Sequence, residues 1–326
     1  MKAAVYDRAG PPDVLRFATV DDPVCRADDV LIRVEAVAVE GGDIFARSSI
    51  EPPAPDHIGG YAAAGTVIRV GSDDLEFAIG DRVATMAVGG SHAELRAVNV
   101  QGCFRIPDGL DMAKAAAVPV PFLTAHHALF DVAQIQADDT ILIQGAAGSV
   151  GLAAVQLAAR HGARVLAVQA GTERAPRLRV LGASIVIDRK NESVVEVVRE
   201  ATEGRMASVV LDTVGGASLD TSILSTCPFG RVLMIGNASQ VPMRPDLWPA
   251  MTNNITLSGV SVRPMFGSPA SKSVIEDIMK QARDGHLDVI IDKSFQLSEA
   301  ARAHRYVEES SPLGRVVLTP SLTAAQ

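Results

Sequence analysis

Cysteine is scarce in this chain. Only three cysteines occur among 326 residues, Cys25, Cys103 and Cys227, and none belongs to a C-x-x-C pair. Their odd number and wide spacing exclude a disulfide framework and a thiolate metal site. We therefore expect free thiols in a reducing compartment, and hence a cytoplasmic protein.

Long apolar runs and basic runs are also absent. No stretch approaches the roughly 18 apolar residues of a membrane-spanning helix, and residues 1–15 contain no apolar segment typical of secretion signals. The formal net charge is -8 and no basic run exceeds two residues. Because nucleic acids attract clustered basic side chains, we expect neither a nucleic acid nor a membrane as partner.

The pattern of the chain changes at about Pro121. Before it, short alternating runs are separated by Gly, Pro and Asp, which predicts a β-rich, barrel-like domain. After it, apolar strands alternate with helical periodicity, which predicts an α/β fold with a doubly wound parallel sheet. We expect its six strands at residues 140–144, 164–168, 185–187, 208–211, 231–235 and 255–260.

A glycine turn follows the first of these strands. Residues 146–151, Ala-Ala-Gly-Ser-Val-Gly, stand where dinucleotide-binding proteins have G-x-G-x-x-G, between a strand and an amphipathic helix. Glycine lets a pyrophosphate approach the backbone, whose free N–H groups and helix dipole bind the charge. The predicted cofactor-binding residues of this turn are Ala147, Gly148, Ser149, Val150 and Gly151.

The second strand of this unit ends without a carboxylate. NAD sites usually place an Asp or Glu there to hold the ribose 2′-hydroxyl, whereas residues 166–171 are Leu-Ala-Val-Gln-Ala-Gly. Thr172 and Arg174 follow, with two more arginines, and guanidinium groups suit a 2′-phosphate. We predict NADPH as the cofactor. The alternative is that the arginines form a solvated helix face and that Glu173 turns to a ribose.

The loop after the fifth strand is a further candidate. Gly236 and Asn237 follow that strand at the carboxyl edge of the sheet, where open α/β sheets bind their ligands. We expect this loop to contact the cofactor.

Several motifs together carry a family resemblance. They are Gly10-Pro11-Pro12-Asp13-Val14-Leu15, Gly65-Thr66-Val67, Gly80-Asp81-Arg82-Val83, residues 146–151, Asp212-Thr213-Val214-Gly215-Gly216 and Gly314-Arg315-Val316-Val317-Leu318. In their order and spacing, they make the whole chain resemble the zinc-free, zeta-crystallin-like quinone oxidoreductases of the medium-chain dehydrogenase/reductase superfamily.

The resemblance implies an architecture and an activity. It implies a GroES-like catalytic domain made of residues 1–122 and 265–326, with a Rossmann NADP-binding domain at 123–264 and the active site in the cleft between them. It also implies an NADPH-dependent reductase, commonly a homodimer, with Thr124 near the nicotinamide and Arg189 beside the adenosine phosphate.

The zinc ligands of related alcohol dehydrogenases are replaced here. Those relatives place a Cys three residues before an Asp and a His in a G-H-E motif, whereas this chain has Glu40 before Asp43, and Tyr61 in the second motif. A catalytic zinc needs about three protein ligands, so we predict no metal. Without a Lewis acid the substrate must itself be electrophilic, as quinones and α,β-unsaturated carbonyls are.

The stretch that begins at Glu40 also departs from the quinone oxidoreductase pattern. Relatives carry Asn-x-x-Asp-x-Tyr, and this chain has Glu40, Asp43 and Phe45 at those positions. We name Glu40, Tyr61 and Thr124 as candidate catalytic residues. Glu40 either positions the cofactor, acts as a proton shuttle or does neither, and Tyr61 either faces the substrate or packs in the core.

The predicted function is NADPH-dependent hydride transfer to a quinone. An alternative with the same hydride delivery is the reduction of α,β-unsaturated carbonyls or enoyl thioesters. The alternative from another class is an NADPH-binding structural or regulatory protein without turnover, for which the changes at Glu40 and Phe45 leave room.

Overall fold

A computed structural model describes residues 1–320. Within this range the chain forms two units. The first comprises Met1–Val120 together with the chain from Arg263 onward, and the second comprises Pro121–Val262. The second unit is therefore an insertion in the sequence of the first. No helix among residues 1–320 is long and apolar enough to cross a membrane.

The two units differ in their secondary structure. The strands in chain order are β1 Lys2–Tyr6, β2 Arg16–Thr19, β3 Asp29–Val39, β4 His57–Ile58, β5 Ala62–Val70, β6 Arg82–Met86, β7 Leu95–Asn99, β8 Cys103–Arg105, β9 Thr140–Gln144, β10 Arg164–Gln169, β11 Ile185–Asp188, β12 Ala207–Asp212, β13 Thr226–Met234, β14 Thr256–Gly259, β15 Ile291–Gln296 and β16 Arg315–Thr319. The helices are α1 Gly41–Ser49, α2 Met112–Ala116, α3 Pro119–His126, α4 Ser149–His161, α5 Ala175–Val180, α6 Val194–Ala201, α7 Ser218–Leu224, α8 Trp248–Thr252, α9 Pro269–Arg283 and α10 Ala300–Ser310.

The first unit is rich in β-structure, as predicted. A three-stranded sheet has the order β2-β1-β4, and a larger sheet has the order β15-β16-β3-β5-β6-β8, with β7 also paired to β3. The long strand β3 supplies much of the core, because Val30, Ile32 and Val34 are buried among residues from both ends of the chain. Pairing of β16 with β3 places Val316 opposite Val39, so a strand that follows the second unit in sequence joins the sheet of strands that precede it.

The second unit contains the predicted six-stranded parallel sheet. Its strand order is β11-β10-β9-β12-β13-β14, the doubly wound order of dinucleotide-binding folds. Helices cover such sheets on both faces, which is why strand β9 carries the uninterrupted apolar run Ile141, Leu142 and Ile143, all fully buried. The strand order reverses between β9 and β12, and ligands bind at the carboxyl ends of the strands at such a point.

The shortest strands of the first unit give no signal in the sequence, and one strand of the parallel sheet starts earlier than predicted. Strands β2, β4 and β8 contain four, two and three residues, too few to show an alternating pattern. Strand β13 begins at Thr226 instead of Arg231, because its first half contains Pro228 and Gly230, which break the apolar pattern.

Two histidines of the first unit form a buried pair. His92, which precedes β7, and His304 on α10 are 1% and 2% exposed, and their Nε2 atoms lie 3.0 Å apart. One ring must donate and the other accept, so the pair is stable only while at least one ring is neutral. Burial lowers the pKa of His92 to about 4 and lowers the pKa of His304 well below its usual value.

We predict that this pair makes the fold acid-sensitive. Because the pKa of His92 is depressed in the folded protein, its contribution to stability is present above pH 6.5 and lost as the pH falls towards about 4. When the pH is lowered from 7 to 5, wild type should therefore lose about 2 kcal/mol of its free energy of unfolding that His92→Gln does not lose. Urea titrations at both pH values measure this difference, and parallel pH dependence of the two proteins would contradict the prediction.

Candidate active site

The glycines of the turn in the second unit differ in the room that they leave for a side chain. Gly145 has a left-handed φ of +70°, and a β-carbon at Gly151 would lie 2.6 Å from the Cα of Ala146. Gly148 is the N-cap of α4 and is exposed, and a β-carbon there would meet only the Gly145 carbonyl oxygen, at 3.4 Å. Gly151 thus packs the helix against the strand, whereas Gly148 keeps the N-terminus of α4 open to an anion.

Two buried polar atoms beside this turn have no partner. Gln144 and Gln169 end the neighbouring strands β9 and β10 and are 2% and 3% exposed. Gln144 Nε2 and Gln169 Oε1 make no hydrogen bond, although Gln169 Nε2 donates to the carbonyl oxygen of Gly171 at 2.8 Å. Leaving a buried polar atom unpaired costs about 1–3 kcal/mol, so this strand edge is suited to a polar ligand that supplies the missing partners. The site therefore fits a dinucleotide.

The residues predicted near the adenosine phosphate lie at one corner of the sheet. The Arg189 N–H donates to the carbonyl oxygen of Gln169 at 3.0 Å, and the Gly171 N–H donates to Asp188 Oδ1 at 2.7 Å. These two bonds bring Arg189 beside the loop that carries Thr172 and Arg174. Arg189 and Thr172 are exposed, and Arg174 is the residue before α5.

A carboxylate at this corner escaped the sequence analysis. Asp188 ends β11, the strand next to β10, and is only 5% exposed. Its oxygens accept bonds from the N–H groups of Gly171 and Lys190 and from the Asn191 amide. These bonds lower its pKa and hold the carboxylate against the backbone of its own corner of the sheet.

The remaining predicted residues of the second unit lie in the loop after β13 and on α3. Asn237 is held inside its own loop, because its Nδ2 donates to the Val241 carbonyl oxygen at 3.0 Å and its Oδ1 accepts from Ser239 Oγ at 2.9 Å. A β-carbon at neighbouring Gly236 would lie 3.2 Å from the Thr213 carbonyl oxygen, which is a tight contact. Thr124 lies on α3 and is 6% exposed.

In the first unit, Glu40 forms a buried ion pair. Its Oε2 lies 2.5 Å from Nη2 of Arg315, and both residues are almost fully buried. Arg315 also donates from Nη1 to the Val39 carbonyl oxygen at 2.7 Å. Glu40 Oε1 is buried and has no partner. The sequence motif that contains Arg315 gave no indication of this pairing, which depends on the register of β16 against β3.

Asp43 connects the two candidate residues of the first unit. Its Oδ2 accepts the Glu40 N–H at 2.8 Å and its Oδ1 accepts the Tyr61 N–H at 3.1 Å. The half-buried Tyr61 ring lies over Gly42, where a β-carbon would be too close to it, and meets the Phe266 ring edge-on. The structure thus brings Glu40 and Tyr61 together around Asp43.

These buried carboxyl groups titrate near neutrality. Burial raises the pKa of Glu40 to about 7, although the charge of Arg315 opposes the rise. Burial also raises the pKa of Asp43 to about 8, and the negative charge of Glu40 adds to the effect. The pKa of the Tyr61 phenol is raised by burial and then by the charge of Asp43.

A small cavity adjoins Asp43 and Tyr61. Its volume is about 60 Å³. The residues around it are Tyr6, Leu15, Asp43, Ala46, Arg47, His57, Gly59, Gly60, Tyr61, Val88, Gly89, His92 and His304. Among residues 1–320, no group of three or more His, Cys, Asp or Glu side chains is placed to hold a metal ion.

Comparison with known proteins gives the family. Residues 26–108 match the alcohol dehydrogenase GroES-like domain, and residues 181–318 match the zinc-binding dehydrogenase family. A quinone oxidoreductase of Pseudomonas aeruginosa is 32% identical over 320 residues, covering 95% of this chain and 97% of its own. The chain belongs to the medium-chain dehydrogenase/reductase superfamily. The predicted resemblance is confirmed.

Solved structures agree with this assignment. A mycobacterial protein complexed with NADPH is 28% identical, with a TM-score of 0.91 over 98% of this chain and 100% of its own. The CurK enoyl reductase has the same fold, with 23% identity and a TM-score of 0.87 over 98% and 99% of the two chains. NADPH, the cofactor predicted from the sequence, is thus bound by a superfamily member that shares this chain's fold.

Gly151 and Gly148 give a matched pair of variants. We predict that Gly151→Ala destabilises the protein by about 1–3 kcal/mol, because its β-carbon meets backbone atoms that cannot move aside. Gly148→Ala should cost no more than about 1 kcal/mol and should weaken NADPH binding by about tenfold, the value of one bond to a charged group. Thermal unfolding and NADPH fluorescence titration measure the two effects, and equal loss of stability in both variants would contradict the assignment.

Proposed function

We propose that the protein is an NADPH-dependent quinone oxidoreductase that works without zinc. The observation that carries the proposal is the edge of the parallel sheet, where an open helix N-terminus lies beside two unpaired buried atoms, Gln144 Nε2 and Gln169 Oε1. Relatives at about 30% identity that are named quinone oxidoreductases support the substrate class.

In this proposal each part of the edge holds one part of the cofactor. The backbone from Ala147 to Gly151 binds the pyrophosphate, and Arg174 and Arg189 bind the 2′-phosphate through charge-assisted hydrogen bonds. When bound, NADPH supplies the hydride. Thr124 is proposed to lie near the nicotinamide. In the first unit, Tyr61 is proposed to face the substrate, and Glu40, held by Arg315, to support Tyr61.

The state of Glu40 supports zinc independence. This residue stands at the position of a cysteine zinc ligand, but its Oε2 is paired with Arg315. The other ligand position holds Tyr61, a phenol whose pKa is raised by burial. Neither group offers the ligand that a catalytic zinc takes most readily. The proposed substrate must therefore accept hydride without a Lewis acid, as a quinone does when it forms a delocalised phenolate.

Nicotinamide absorbance tests the proposal directly. NADPH and NADH are each offered with a panel of quinones, enones, enoyl thioesters and simple aldehydes in the presence of a chelator. Rapid oxidation of NADPH by quinones is the expected result. A preference for enones or enoyl thioesters would move the activity to double-bond reduction. Tight NADPH binding without turnover on the whole panel would favour a binding protein of structural or regulatory function.

Cofactor preference gives a separate prediction. Arg174→Ala should weaken binding of NADPH by about tenfold, because a charge-assisted bond to phosphate is lost, and should leave NADH binding nearly unchanged. Arg199→Ala, which removes a charge from α6 where Arg199 pairs with Glu196, is the matched control. Titration of each protein with both nucleotides measures the ratio of the dissociation constants for NADPH and NADH. Unchanged NADPH binding in Arg174→Ala would remove this residue from the 2′-phosphate site.

A further inference from the structure

Quinone reduction needs a proton as well as a hydride. A quinone that gains one hydride from NADPH becomes a phenolate, and one proton completes the hydroquinone, leaving NADP⁺. The protein must deliver this proton once per turnover to a site from which water is excluded. Glu40 is poorly placed for that task, since Oε2 is paired with Arg315 and Oε1 is sealed from solvent.

Asp43 is better placed than Glu40. It is 5% exposed, it holds the backbone of Tyr61, and both residues line the same cavity. The cavity volume of about 60 Å³ is enough for a few water molecules, since one needs roughly 10–15 Å³ of such space. Val88 at its rim is 61% exposed, so the cavity reaches towards the protein surface.

We propose that Asp43 is the proton reservoir of the reaction, and that water in this cavity connects it to solvent and to the phenol of Tyr61. After hydride addition, the Tyr61 O–H gives its proton to the phenolate oxygen of the substrate. The resulting tyrosinate takes a proton from Asp43 through cavity water, and Asp43 regains one from solvent by the same route. This inference rests on the proposed function.

The charges around Asp43 favour a proton held there near neutral pH. Glu40 on the same helix start is negative, and Arg315 on β16 compensates for one of the two carboxylates. Arg47 on α1 is largely occupied by Glu308 and by the Gly10 carbonyl oxygen. Arg96 on β7 binds the carbonyl oxygens of residues 61, 87 and 89.

Other titratable groups face Asp43 across the cavity. Tyr6 on β1 and His57 on β4 meet edge-on, with ring centroids 5.2 Å apart, and the neutral pair His92 and His304 lies on the same wall. While the imidazoles are neutral, none of these four side chains adds a charge near Asp43. Burial and then the charge of Glu40 raise the pKa of Asp43, so the two carboxyl groups share one proton.

Three variants test the proposal in the full-length holoenzyme. Asp43→Asn and Tyr61→Phe should each lower kcat by about a hundredfold with little change in the NADPH dissociation constant. Ala46→Leu, which fills the cavity from α1, should lower kcat and enlarge the solvent deuterium isotope effect. Formate should restore activity to Asp43→Asn but not to Ala46→Leu. Ser48→Leu on the same helix and Asp139→Asn, another buried carboxylate that accepts a backbone N–H, are the matched controls.

A titration without substrate separates this inference from the proposed function. The chain contains three tyrosines, so the Tyr61 step in an ultraviolet titration is assigned by its loss in Tyr61→Phe. Asp43→Asn should lower the pKa of that step, because the negative charge of Asp43 is removed. An unchanged Tyr61 titration, or a folded Asp43→Asn with wild-type kcat, overturns the inference. Absence of quinone turnover in the wild type would instead overturn the proposed function.

Discussion

The ion pair between Glu40 and Arg315 is the interaction on which the first unit depends. Removing two charges from water costs several kcal/mol for each ion, and only close pairing with further hydrogen bonds offsets that cost. Arg315 meets this requirement by binding both Glu40 and the carbonyl oxygen of Val39, which lies 276 positions away in the chain. A side chain from the end of the sequence thereby fixes the turn between β3 and α1, and with it Asp43.

The same pair determines the electrostatics of the candidate site. Two carboxylates and one guanidinium lie together, so the cluster would carry a net negative charge if every group were ionised. Low dielectric makes that charge costly, and the cluster holds a proton instead. The negative charge of Glu40 raises the pKa of Asp43, so the protonation of the two carboxyl groups is linked.

The sequence predicted the second unit more completely than the first. The glycine turn at 146–151 and the strands of the parallel sheet are local patterns, because a strand, a turn and a helix follow one another within thirty residues. Arg315 opposite Glu40, and His92 beside His304, are pairs formed by strand and helix packing between distant segments, and no local pattern encodes them. Asp188 gave no local signal either, because it comes next to Gln169 only through the pairing of β11 with β10. The roles of Glu40, Tyr61 and Thr124 remain predictions.

The sequence predicts the second unit more completely than the first for a chemical reason. The glycine turn of the second unit offers backbone N–H groups to a ligand, and at Gly151 a side chain is excluded by space alone. Such a turn constrains the sequence strongly. In the first unit the site consists of side chains, and a carboxylate can replace an amide at position 40 provided that a partner such as Arg315 compensates its charge. Changes in chemistry are therefore expected to arise in the first unit, through paired substitutions, while the second unit continues to bind the same cofactor.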